Sequence, residues 1–126
     1  MTRDNDLVRL RHMLDHAIEA VDMAEGHSRY DLDDDRQLNL ALVRLVEIVG
    51  EAAARVGPEM RKRCPAVPWL EIIGMRNRIV HGYDQVDLDI LWDVIDLHLP
   101  PLIIELKQIL STLGNGVKED KPDRTQ

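Results

Sequence analysis

The chain of 126 residues predicts an all-α protein, an antiparallel up-and-down bundle of four to five helices. Three observations predict it. Apolar residues recur at spacings of three and four along several segments, no segment sustains a two-residue alternation, and the links between the periodic segments are short. Apolar residues make up 44% and charged ones 31%, with 7 Gly and 6 Pro, a globular balance. Aromatics are only 3% and Phe is absent, so the core has to be built from Leu, Ile and Val. The length suits one domain. We place the helical domain at 1–113 and expect a disordered tail at 114–126, which has almost no apolar side chain to bury.

Taken in order, Leu7, Leu10, Leu14, Ala17, Val21 and Ala24 share one face of a first helix that Gly26 should stop. The polar stretch SRYDLDDDR connects it to a second helix, whose start the last aspartates can cap and stabilise through the helix dipole. That helix carries Leu38, Leu42, Leu45, Val46, Val49, Ala52, Ala53 and Val56 and should end at Gly57-Pro58. EMRKRCPAVP reads as a basic link punctuated by proline. Pro68 then suits the first turn of a third helix, from Trp69 to Val80 or His81, with Gly82 as the residue that ends it. Asp87 can cap a long fourth helix with Leu88, Leu91, Trp92, Ile95, Leu99, Leu102, Leu106 and Leu110 on one side. Pro100-Pro101 should kink or break it, because proline removes a hydrogen bond and clashes with the preceding turn.

Charge narrows the function classes. A net charge of −7 argues against a surface that binds nucleic acid everywhere, since phosphate recognition draws its affinity from Lys and Arg. Locally the sign reverses: between residues 52 and 80 stand Arg55, Arg61, Lys62, Arg63, Arg76 and Arg78 against Glu59 and Glu71. Asp84, Asp87, Asp89, Asp93 and Asp96 follow at once, so the basic patch should be small and walled. The single cysteine, Cys64, excludes an internal disulfide and fits a reducing cytoplasm. No apolar run approaches the length of a membrane span, and the N-terminus lacks the apolar stretch of a signal peptide, so a soluble protein is expected.

The chemistry is concentrated in GMRNRIVHGYDQVD, residues 74–87. Arg76 and His81 stand in the pattern R-x4-H, with Asn77 after the arginine, Arg78 beyond it and Tyr83 two residues past the histidine. Spacing alone is weak, since Arg11 and His16 share it in the first helix. At a helix end the pair has more meaning. If Gly82 stops the helix, His81 lies in a frayed last turn and can swing toward Arg76, while Asn77, one turn below, can orient its imidazole. A proton-transfer residue beside a permanent forked cation supplies the parts for cutting RNA without a metal or other cofactor. One copy would be sparse, so a two-fold homodimer that brings two motifs together is physically attractive.

The arrangement Arg76, His81 and Tyr83, preceded by GM and followed by VD and a Trp-bearing helix with Leu99-Pro100, resembles the HepT family of HEPN-domain proteins. The resemblance covers most of the chain, to about Leu110, and is strongest from Pro68 to Pro101. It implies a HEPN-like helical bundle that dimerises, and a toxin of a type VII toxin–antitoxin pair acting as a metal-independent endoribonuclease. By the same resemblance Arg76 and His81 are catalytic, Asn77 is the polar residue that follows the motif arginine, and Tyr83 accepts AMP from ATP. The transfer would be made by a minimal nucleotidyltransferase antitoxin, MNT.

Other readings use the same residues differently. Arg76 and Arg78 could favour a helix C-terminus through the dipole, His81 could simply cap it, and Tyr83 could anchor its ring in the core. A non-catalytic helical module that binds nucleotide or a partner through the basic cleft, or a purely structural dimerisation subunit, would need no more than that. His12 and His16, one turn apart, lack a third metal ligand and read as a solvated face. The aspartates at 31–35 read as a helix entry, Cys64 as structural, and Trp69 and Trp92 as core or interface residues.

Overall fold

The computed structural model describes the backbone of residues 3–82 and 85–119, with side chains for 5–82 and 85–114. Helix α1 (Arg3–Ala24) buries Leu10, Met13, Ala17, Ala20 and Ala24, close to the face that the periodicity marks. Gly26 ends the exit turn with φ of 84°, a left-handed conformation that costs glycine little. A single helical turn, α2 (Asp31–Asp34), interrupts the polar connection and buries Leu32. Asp35 then caps α3 (Arg36–Ala54), its carboxylate accepting from the Leu38 N–H at 3.0 Å.

The first part of the basic link is helical. It forms helix α4 (Pro58–Arg63), with Pro58 in the first turn where its missing N–H has no partner to lose. Arg61 turns back to α3, donating from Nε to the Val56 carbonyl at 3.0 Å and from Nη2 to the Ala54 carbonyl at 3.0 Å. Carbonyls left open at the end of α3 are thereby satisfied. Buried Asp6 accepts from the Gly57 N–H at 3.1 Å and ties the start of α1 to the same corner.

The expected third helix from Trp69 to Val80 or His81 is divided. Helix α5 (Trp69–Ile73) ends at Gly74, at φ of −85° and ψ of −2°, and α6 (Met75–Ile79) begins after it. Val80 is extended, so the chain leaves the helix before His81. Strands β1 (Val80–His81) and β2 (Gln85–Val86) pair antiparallel, Val80 opposite Val86 and His81 opposite Gln85. Gly82, expected to follow a helix, instead takes its φ of 74° in the turn after β1.

Asp87 caps α7 (Leu88–Asp93) as expected. The interruption expected at Pro100-Pro101 lies one turn earlier, as a π-helical turn at Val94–His98, and the prolines fall in the first turn of α8 (Leu99–Glu119). The Leu99 N–H reaches back to the Val94 carbonyl, which widens the turn ahead of the proline rings and relieves their clash with it. Helix α8 is described to Glu119. Residues 120–126 of the expected tail lie outside the described ones.

The protein is therefore all-α apart from the small hairpin. Helix α1 packs along α3 and α8, and α3 also carries α5 and α6, around a core that includes Leu10, Leu42, Val49, Leu91, Leu99 and Leu106. No helix among the described residues is long and apolar enough to cross a membrane. Leu106 is fully buried, so Leu106→Ala should lower the free energy of unfolding by about 2–5 kcal/mol, read as an earlier urea midpoint with an unchanged slope.

Candidate active site at the junction of α6 and the hairpin

Helix α6 is one and a half turns long, and its sequence divides it cleanly. Met75 and Ile79, four residues apart, are buried against the core, while Arg76, Asn77 and Arg78 between them are exposed. His81 follows on β1, also exposed. Because the chain is extended from Val80, Asn77 and His81 are not related by a helical turn, and the orientation of His81 by Asn77 expected from helical spacing has no basis in this backbone. Among the described residues no hydrogen bond joins the side chains of Arg76, Asn77 and His81. Arg76 and His81 are instead held on consecutive elements, on either side of one helix-to-strand junction. Tyr83 lies outside the described residues.

Arg76 makes the contact that the sequence does not foretell. Its Nε donates to Oε2 of Glu47 on α3 at 2.8 Å, a separation in the range of a charge-assisted bond. The Arg44 guanidinium reaches Oε1 of Glu47 at 3.4 Å and Glu51 Oε2 at 3.5 Å. Glu51 in turn lines a groove of about 340 Å³ with Arg9, His12 and Arg55. Arg78 opens in another direction, into a groove of about 300 Å³ with Glu71, His98, Pro101 and Glu105. The structure thus separates Arg78 from the contacts of Arg76. The spacing of Arg44, Glu47 and Glu51 marks one side of α3, but nothing in a linear pattern connects that side to residue 76.

The hairpin that carries His81 is anchored at its base. The Asp87 N–H donates to the Ile79 carbonyl at 2.7 Å, while its carboxylate accepts from the Ile90 N–H at 3.0 Å. One residue therefore closes the end of α6 and opens α7. The other candidate groups have local roles. His16 donates from Nδ1 to the His12 carbonyl at 2.7 Å, and no group of three or more His, Cys, Asp or Glu among the described residues could hold a metal ion. Asp31 accepts from the Ser28 N–H and from His27, which together hold its carboxyl below the usual range. Cys64 is buried, which pushes its thiol up, and its carbonyl accepts from the Trp69 indole at 3.1 Å.

The described residues form a helical bundle that pins the short helix α6 by Met75 and Ile79 and exposes Arg76 and Asn77 on it and His81 on the strand that follows. The particular family follows from sequence: the family model described as Ribonuclease HepT-like matches residues 11–109, and the chain belongs to this HEPN-type ribonuclease family. It is 37% identical over 101 residues, 80% of this chain and 90% of the relative, to "Putative RNase TTE0752" of Caldanaerobacter subterraneus subsp. tengcongensis. It is 30% identical over 93 residues, 71% of this chain and 84% of the relative, to "Probable ribonuclease HepT" of Thermococcus cleftensis. No solved structure matches the chain significantly. Arg76, Asn77, Arg78, His81 and Tyr83 all lie within the matched span.

Because the Asp87 carboxylate caps α7, Asp87→Ala, which keeps the backbone bond to Ile79, should lower the melting temperature by the equivalent of about 1 kcal/mol, while Asp87→Asn, an equally good cap, should retain most of the stability.

Proposed function

We propose that this chain is an endoribonuclease toxin that cuts RNA without a metal, acting as a homodimer. Membership of a ribonuclease family over residues 11–109 carries the reading, and the exposure of Arg76 and His81 at one junction supports it. The ribose 2′-OH attacks the adjacent phosphorus, a cyclic phosphate forms and the 5′ oxygen leaves. His81 moves a proton in this step, and Arg76 stabilises the negative charge that builds on the phosphoryl oxygens. Attack and departure each need a proton moved, so a second His81 from the other protomer would complete the pair. Asn77 and Arg78 support the site as neighbouring polar and cationic groups. Arg76, exposed on α6, gives an otherwise acidic chain a cation that a phosphate backbone can approach.

Regulation follows from Tyr83, two residues beyond His81. In the proposed scheme an MNT-type nucleotidyltransferase directs the phenolic oxygen to the α-phosphorus of ATP, and pyrophosphate leaves. The added AMP places a phosphodiester charge and a nucleoside where the substrate backbone has to lie, so cleavage stops.

His81→Ala and Arg76→Ala should each lower RNA cleavage by at least about 100-fold and relieve growth inhibition while the protein stays folded by circular dichroism. Cleavage by either variant at the wild-type rate sinks the mechanism. Incubation with the partner and ATP should add whole AMP units to the peptide containing Tyr83, read by mass spectrometry, and none to Tyr83→Phe. AMP on a different residue refutes that assignment.

A further inference from the structure

Arg76 combines a half-exposed side chain with a fixed root. Its side chain is 53% exposed, yet its Nε is bonded to a carboxylate that is only 19% exposed. A guanidinium is planar and presents five N–H donors in a rigid fork. Holding Nε therefore restricts the orientations open to the whole group. The two terminal amino groups have no protein partner among the described residues, and they are the donors that suit two oxygens of a phosphate.

Glu47 is itself constrained. It projects from the middle of α3 beside buried Val46, Val49 and Gly50, and its second oxygen faces Arg44. Arg44 offsets the charge of Glu47, so the carboxylate can hold Arg76 with less cost to its attraction for an anion. At a sequence separation of 29, the contact joins the long helix α3 to the short helix α6.

We propose that Glu47 is the positioning residue for Arg76, setting the plane of its guanidinium for the phosphoryl oxygens of the substrate. The inference rests on the ribonuclease reading of the site. Glu47 does not touch the reacting atoms. Its effect is exerted where orientation matters most, in the transition state, because a mobile arginine still finds a ground-state phosphate but spends less time in the productive geometry.

The test is a double-mutant cycle on RNA cleavage with Glu47→Ala, Arg76→Ala and the double variant, together with Glu47→Gln. Glu47→Ala should lower kcat by about tenfold to 100-fold and leave KM within about threefold. Glu47→Gln keeps a carbonyl acceptor of the same reach and should restore most of kcat. In the Arg76→Ala background, Glu47→Ala should add less than about a twofold loss, since its partner is already gone. Wild-type kcat in Glu47→Ala, an undiminished loss in the Arg76→Ala background, or a Gln variant no better than Ala overturns the assignment.

A second measurement separates this inference from the ribonuclease reading. In nitrogen-15 NMR of the full chain, the Arg76 Nε–H should be protected from exchange in the wild type and lose that protection in Glu47→Ala, whereas the Arg61 Nε–H, bonded to the Val56 carbonyl, should be unchanged. Equal exchange at Arg76 in the two proteins overturns the positioning role even if RNA is cut. Loss of protection at Arg76 alone supports it even if the substrate proves not to be RNA.

Discussion

The close approach of α5 to α3 at Gly50 fixes where everything after it can lie. A Cβ added at Gly50 would stand 3.1 Å from the Ile72 carbonyl, closer than side-chain carbons are ordinarily found to a backbone oxygen. The missing side chain lets the two helices touch backbone to side, and α6 follows directly from α5 through Gly74. The distance over which Arg76 must reach Glu47 is set by that approach. A longer separation would leave a 2.8 Å bond between α6 and α3 out of range, so packing in the core and chemistry at the surface meet at one glycine.

Much of the frame was legible in the sequence because it depends on local rules. The face of α1, the caps at Asp35 and Asp87, and the stop at Gly26 each follow from periodicity, side-chain oxygen chemistry or the freedom of glycine. The break at Gly74 and the hairpin after Ile79 were not. A strand of two residues has no alternation to read, and Val80 pairs with Val86 only because Asp87 folds back to the Ile79 carbonyl. Glu47 was invisible for a plainer reason: a contact across 29 residues is a property of the packed chain. The spacing of the candidate pair Arg76 and His81 carries little signal by itself. Arg11 and His16 repeat it inside α1, where the helix carries on unbroken past both.

The opposing charges have a coherent arrangement. Several aspartates that make the chain acidic are committed to structure: Asp35 and Asp87 cap helices, Asp31 holds a turn, and Asp33 and Asp89 bracket Arg29. Negative charge spent on helix starts lies near backbone N–H groups that offset it. The net charge therefore overstates how much of the negative charge stands without a partner.

The π-helical turn at Val94–His98 changes the phase of the last helical rod. Each residue in an α-helix advances the direction of its side chain by about 100°, and the wide turn absorbs part of one such step between α7 and α8. With it in place, Leu91 before the turn, Ile95 within it and Leu99, Leu102, Leu106 and Leu110 beyond it all face the same core. Removing one residue there would leave a tidier helix locally and rotate the remainder out of register, turning that leucine stripe away from α1. The length of this segment is thus under a counting constraint that no single side chain within it expresses.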